Sequence, residues 1–184
     1  MSEVKHVLGI SGGKDSAALA IYLRNNYPSL QIDYYNADTG KELPETYALL
    51  ERLEGYLGQK ITRLQAAQNS PKGNPFDHYL QQYGGFLPSP QARWCTQKIK
   101  LEVFERYVGI RPVISYVGIR GDENREGYVS HKPHIQSIFP FRRNIWSADV
   151  INKVLGNDSR DLFLAEYAKI LSSQEMDELA PTLE

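Results

Sequence analysis

Ser11-Gly12-Gly13-Lys14-Asp15-Ser16 constrains this chain more than any other stretch. The apolar run Val7-Leu8-Gly9-Ile10 leads into it, and Ala17-Ala18-Leu19-Ala20-Ile21-Tyr22-Leu23 leaves it with helical character. A buried strand, a glycine turn and a helix N-terminus make an anion site, because backbone N–H groups converge there and the helix dipole adds positive potential. Adjacent glycines let the backbone approach a ligand with no Cβ in the way. Ser11 and Ser16 offer hydroxyls and Lys14 a cation, so a phosphate group of a nucleotide is the expected ligand. The plain alternative is a tight strand-to-helix turn. The stretch is not a Walker A loop, whose lysine has an upstream glycine and a following Ser or Thr. Leu8 and Asp15 stand in those places.

Strands and helices alternate after this loop. Val4 to Ser11 reads as a central strand and Lys14 to Asn26 as a helix, which Tyr27-Pro28-Ser29 breaks. Leu30 to Asn36 is a second strand, ending in Ala37-Asp38-Thr39-Gly40. Pro44-Glu45 opens the next helix, Leu49, Leu50, Leu53 and Leu57 follow at helical spacing, and Gly58 stops it. Lys60 to Leu64 is a short third strand and Val113 to Ile119 another. Such alternation predicts a parallel α/β sheet, with ligands beyond the C-terminal strand ends. Asp38-Thr39-Gly40 and the Ser11–Ser16 loop are therefore expected on one sheet edge. Asp38 would orient a ribose or a nucleophile, help hold a metal, or simply cap Gly40 and the amides after it. The residues alone leave these open.

The character changes between Gln65 and Pro90, where Gly and Pro interrupt a short helix expected over Phe76 to Tyr83. A connection this long is a lid or binding loop, or a surface insertion. Phe76, Tyr79, Leu80, Tyr83 and Phe86 predict that much of it packs. A helix to about Val108 begins near Arg93-Trp94-Cys95-Thr96. Arg93, Lys98 and Lys100 crowd its start, against the helix dipole. Either an anion binds there or they form a solvated basic face. Cys95 beside Arg93 is an activated thiol or small core filler. Farther on, Arg120 and Arg125 suit a phosphate or sulfate, with Asp122 and Glu123 pairing with them or serving a metal; the alternative is a charged surface turn. Ile138 to Phe141 is apolar, Ser147 is a candidate N-cap, Gly156-Asn157 ends that helix, and a last helix is expected from about Asp161 to Ser172. Pro133 separates His131 from His134 and no cysteine is near, so they do not read as a metal pair.

With 184 residues, the chain suits a single domain, with a core from residue 4 to 150 and a helical extension over 151–184. A net charge of −1 gives no overall pull toward nucleic acid or membrane, though a local basic patch remains compatible. No apolar run reaches the roughly 18 residues of a membrane span, and the first residues do not resemble a signal peptide. The cytoplasm is the expected location. Cys95 is the sole cysteine, so neither an intrachain disulfide nor an iron–sulfur cluster held by this chain alone is expected.

Taken together, these stretches resemble the phosphoadenosine phosphosulfate reductase family of the PP-loop, adenine nucleotide α-hydrolase-like superfamily. The likeness rests on Ser11-Gly12-Gly13-Lys14-Asp15-Ser16, on Asp38-Thr39-Gly40 with Leu43-Pro44-Glu45-Thr46, on Arg93-Trp94-Cys95-Thr96 with Lys100, and on Gly118-Ile119-Arg120-Gly121-Asp122-Glu123-Asn124. Pro140, Trp146, Asp149 and Val150 continue it. The resemblance implies a doubly wound, mostly parallel, Rossmann-like sheet flanked by helices, with adenine nucleotide at the strand ends. It implies that Ser11 to Ser16 hold phosphates, and that Asp38, Thr39, Gly40, Arg93, Cys95, Gly118, Ile119, Arg120, Asp122 and Glu123 border the nucleotide.

Sulfonucleotide reductases of this family use a cysteine in a C-terminal tail, and no cysteine follows Cys95. The leading expectation is therefore an ATP pyrophosphatase or adenylyl-transfer enzyme, in sulfur metabolism or chemistry like DNA phosphorothioation. ATP or a related adenine nucleotide would bind with Mg²⁺, Asp15 would be the metal ligand, and Lys14, Arg120 and Lys100 would stabilise charge. One alternative is a sulfonucleotide reductase with a thiol supplied by a protein partner. Another is a nucleotide-binding subunit of a larger assembly. Self-association and nucleic-acid binding are left open.

Overall fold

The computed structural model describes residues 4–120, 123–124 and 127–142. Along the chain run β1 (Lys5–Gly9), α1 (Lys14–Asn26), β2 (Ile32–Asp38), α2 (Pro44–Leu57), β3 (Thr62–Gln65) and α3 (Pro75–Gln82). A π-helix (Cys95–Leu101) then passes directly into α4 (Glu102–Val108), followed by β4 (Val113–Tyr116) and β5 (Ile135–Ile138). The five strands form one parallel sheet in the order β3-β2-β1-β4-β5. The order reverses between β1 and β4, and such a reversal opens a ligand crevice at the C-terminal strand ends. The α/β class expected from the alternation is the class observed.

Two compact units divide the chain. Of the described residues, the first comprises 4–8, Lys14–Asp33 and those from Ile110 onward. In it, β1 pairs with β4 from Lys5 opposite Val113 to Leu8 opposite Tyr116, and β4 pairs with β5. Val7, Leu8, Leu19, Leu23, Val113 and Ile114 are fully buried. Each such side chain stabilises the fold by about 1.5–3 kcal/mol relative to exposure. His6 and Tyr116 share a buried hydrogen bond of 2.8 Å between Nδ1 and the phenolic oxygen. Helix α1 begins at Lys14 and ends at Asn26, as expected; the Asn26 amide donates to the Tyr22 carbonyl in its last turn.

The second unit comprises Gly9–Gly13 and Tyr34–Gly109. Here β2 pairs with β3, and Leu64, Ala66 and Val103 form a cluster flanked by Tyr35, Tyr79 and Tyr107. Pro44 opens α2, and Gly58 closes it at φ 67°, its N–H donating to the Glu54 carbonyl. That is the left-handed stop the sequence implied.

Two strand ends and one additional strand differ most from expectation. β2 runs to Asp38 rather than Asn36, because Asn36 and Asp38 are polar yet buried on the inward face of the strand. The strand after Pro112 stops at Tyr116 rather than Ile119, where the Ile119 N–H turns back to the Val117 carbonyl at 3.0 Å. β5 was not expected, since its Gln136 and Ser137 interrupt the apolar run, but both are buried and the strand is enclosed on its two faces. The helices expected around Ser147 and from Asp161 to Ser172 lie outside the described residues, as do Asp122 and Arg125.

Candidate functional site

In the second unit, the end of β1 is pinned before the loop begins. The Ile10 N–H donates to the Tyr35 carbonyl at 2.7 Å, and the Asn36 amide donates to the Ile10 carbonyl at 2.7 Å. Ser11 is then exposed, and its Oγ accepts from the Gly13 N–H at 3.3 Å. Gly12 has φ +81°, a conformation open mainly to glycine. A Cβ on Gly12 would also stand 2.4 Å from Cγ2 of Thr46, in the first turn of α2. Backbone conformation and space both require glycine there. This ties the loop to the Leu43–Thr46 stretch through a methyl contact.

Asp38 is buried and surrounded by donors. The Gly40 N–H and the Tyr47 hydroxyl donate to its Oδ1 at 2.8 and 2.9 Å, and the Gln65 amide donates to its Oδ2 at 2.9 Å. Burial alone would raise its pKa, but Gln65, Gly40, Tyr47 and the nearby Arg63 cation together hold it below the ordinary carboxylate range. Asp38 therefore caps Gly40, and its two oxygens are committed within the protein. The adjacent Thr39 hydroxyl donates to Glu42 at 2.8 Å. Gly40, at φ +73°, abuts Asn74, the side chain that caps α3 by accepting from the Asp77 N–H at 2.8 Å.

Trp94 is buried against Phe76, Tyr79 and Tyr83, the last stacked at 5.6 Å between ring centroids. Its indole N–H donates to the Phe86 carbonyl at 3.1 Å. The irregular connection thus packs through α3, although the Phe86 ring itself is 76% exposed. The helix after Trp94 starts as a π-helix, which periodicity did not reveal and which occurs often at functional sites. Lys98 does not need a bound anion, because Glu102 receives it at 2.6 Å and raises its pKa. Arg93 and Lys100 are exposed, and Cys95 is half-buried, so it is not core filler.

In the first unit, Lys14 is exposed, Ser16 is buried and α1 presents its N-terminal turn. Gly118 follows β4 and comes against that turn. A Cβ on it would lie 2.9 Å from the Asp15 carbonyl oxygen and 3.3 Å from the Ser16 nitrogen. The approach delivers Arg120, whose Nη1 bonds both Asp15 carboxylate oxygens at 3.1 and 3.0 Å. The Arg120 N–H donates to the Glu123 carboxylate at 3.1 Å, and Arg142 donates to the Glu123 carbonyl at 2.5 Å. Glu123 therefore serves the Arg120 turn, and Ile119 between Gly118 and Arg120 is buried.

Sequence reasoning gave no role to Asn36, Tyr47, Gln65 or Arg142. Asn36 carried a signal: it lies two positions before Asp38 on the same strand face. Tyr47, Gln65 and Arg142 carried none, because their roles depend on tertiary approach.

No group of three or more His, Cys, Asp or Glu suited to a metal occurs among the described residues. Mg²⁺ arriving with phosphates needs only one or two protein carboxylates. Asp15 is partly exposed at the loop and pairs with a single Arg120 nitrogen, whereas Asp38 is buried and accepts three hydrogen bonds, so Asp15 is the more accessible of the two.

A parallel sheet that reverses at β1 and β4, with a glycine loop running into α1, defines a nucleotide-binding α/β protein of the PP-loop kind. More particularly, the chain belongs to the phosphoadenosine phosphosulfate reductase family, whose domain model matches residues 5–140. A protein of Methanocaldococcus jannaschii, named only as uncharacterized, is 34% identical over 121 residues. That match covers 64% of this chain and 23% of the relative, so the chain spans about a quarter of the relative's length. No helix among the described residues is long and apolar enough to cross a membrane.

Proposed function

We propose that the chain binds ATP on the Ser11–Ser16 loop and cleaves it between the α and β phosphates, transferring the adenylyl group or releasing pyrophosphate. The observation that carries this reading is Gly12, held at φ +81° against Thr46 immediately before the N-terminal turn of α1. That geometry supports a phosphate site, because the first amides of a helix lack intrahelical partners and favour an anion. Negative charge on the phosphoryl oxygens must be stabilised as the bond breaks, so positioning and cations carry most of the catalysis. Lys14, Arg120 and Lys100 are the proposed stabilisers. Gly13, Ser11 and Ser16 would hold phosphate oxygens. Asp38, Thr39 and Gly40 would border the nucleotide as a rigid wall rather than as reacting groups. Arg93, Cys95, Gly118, Ile119, Asp122 and Glu123 complete the proposed border. Mg²⁺ held by Asp15 would neutralise phosphate charge when bound.

The test is calorimetry of the full chain with ATP, phosphoadenosine phosphosulfate, adenosine phosphosulfate and FMN, each with Mg²⁺, followed by a pyrophosphate-release assay with varied acceptors. ATP is expected to bind most tightly and to release pyrophosphate. Tighter binding of the sulfonucleotides would reverse the assignment.

One observation favours a second reading, sulfonucleotide reduction. Cys95 is half-buried rather than enclosed, at the first position of the π-helix beside exposed Arg93. A thiol from a partner would then be needed, because this sequence has one cysteine. Cys95→Ser tests this second reading: it should abolish reduction, and full reductase activity in that variant would rule the reading out.

A further inference from the structure

We propose that the Arg120–Asp15 ion pair is a gate on the phosphate loop, opened by exchange: an anionic group of the ligand replaces the Asp15 carboxylate on the Arg120 guanidinium. This rests on the nucleotide-binding reading above and adds a cost and a sequence of events to it. The cation and the carboxylate of the loop neutralise one another, with a single Arg120 nitrogen spanning both Asp15 oxygens at 3.1 and 3.0 Å. A guanidinium in that position cannot also present the same edge to a phosphate. The backbone beneath the pair is fixed. Gly118 lies against the Asp15 and Ser16 backbone, and Glu123 anchors the Arg120 N–H, itself tied to Arg142. Fixed backbones leave the side chains as the moving parts. Both are partly exposed, at 39% for Arg120 and 33% for Asp15, so a ligand can reach the pair and the freed carboxylate can return to water. Asp15 thus acts as a competitor for Arg120 that an incoming anion must displace.

The gate makes a prediction opposite to that of a carboxylate that only assists binding. Calorimetric titration of the full chain with ATP in EDTA is compared for wild type, Asp15→Asn, Arg120→Gln and the double variant. Removing the competitor should tighten ATP binding roughly twofold to fivefold, the range that a partly exposed ion pair supports. The gain should vanish in the Arg120→Gln background. A gain that persists there reflects simple charge removal and overturns the gate. Unchanged or weaker binding by Asp15→Asn also overturns it. Failure of wild type to bind ATP both with Mg²⁺ and in EDTA would sink the nucleotide reading and the gate together, whereas binding by wild type with no gain in Asp15→Asn overturns the gate alone. If circular dichroism shows Asp15→Asn to be unfolded, Asp15→Ser supplies the same comparison.

Discussion

At the residue scale, Gly12 and Asp38 behave in opposite ways. Gly12 owes its identity to backbone conformation and to the Thr46 methyl. Gly12→Ala should destabilise the chain by about 1–3 kcal/mol and abolish ATP binding, read by chemical denaturation and calorimetry. Asp38 owes its role to its donors. Its folded pKa lies below the unfolded value, so its contribution is complete above the unfolded pKa of about 3.9 and is lost as pH falls through the folded value. Stability measured from pH 6 down to pH 2 should therefore fall less steeply in Asp38→Asn, which should also be less stable near neutrality. An unchanged acid limb would remove Asp38 from this role. The loop was legible because its residues are contiguous and its glycines answer a local need. Asp38 was legible only as a choice among roles. Its bonds to Tyr47 and Gln65, which arrive from α2 and β3, could not be read from the sequence.

At the scale of elements, α1, α2 and the strands with clear apolar runs were readable from periodicity. β5 was not, because alternation disappears when both faces of a strand are buried and Gln136 and Ser137 are enclosed with Ile135 and Ile138. The π-helix was not, because it differs from an α-helix in bonding rather than in apolar spacing. Its lysines illustrate how a charge count misleads: Lys98 faces Glu102 one turn on. Lys98→Ala should change stability by no more than about 0.5 kcal/mol and leave ATP affinity unaltered. Lys100→Ala should instead lower turnover if Lys100 stabilises charge, and steady-state pyrophosphate release measures the difference. Trp94 anchors α3 and the connection after it. Trp94→Ala should cost about 3–5 kcal/mol, measured by urea denaturation.

For the whole molecule, the sheet order sets where a ligand can go, and ligand binding should feed back on global stability. ATP at about a hundred times its dissociation constant should stabilise the fold by about 2.7 kcal/mol, seen as a rise in melting temperature that follows ATP concentration. A melting temperature indifferent to ATP would contradict binding to the native state. The parallel sheet was implied by the alternation of elements, but its strand order and the close approach of Gly118 to α1 were not, since both join stretches distant in sequence. That approach has a consequence for synthesis and folding. Asp15 and Arg120 are 105 positions apart, and their meeting requires β4 to have settled beside β1. Contacts of such long range form slowly, because the intervening chain must first lose its freedom. A nascent chain still lacking β4 would carry the complete glycine loop yet have no Arg120 turn, so full nucleotide affinity should be acquired only late in folding.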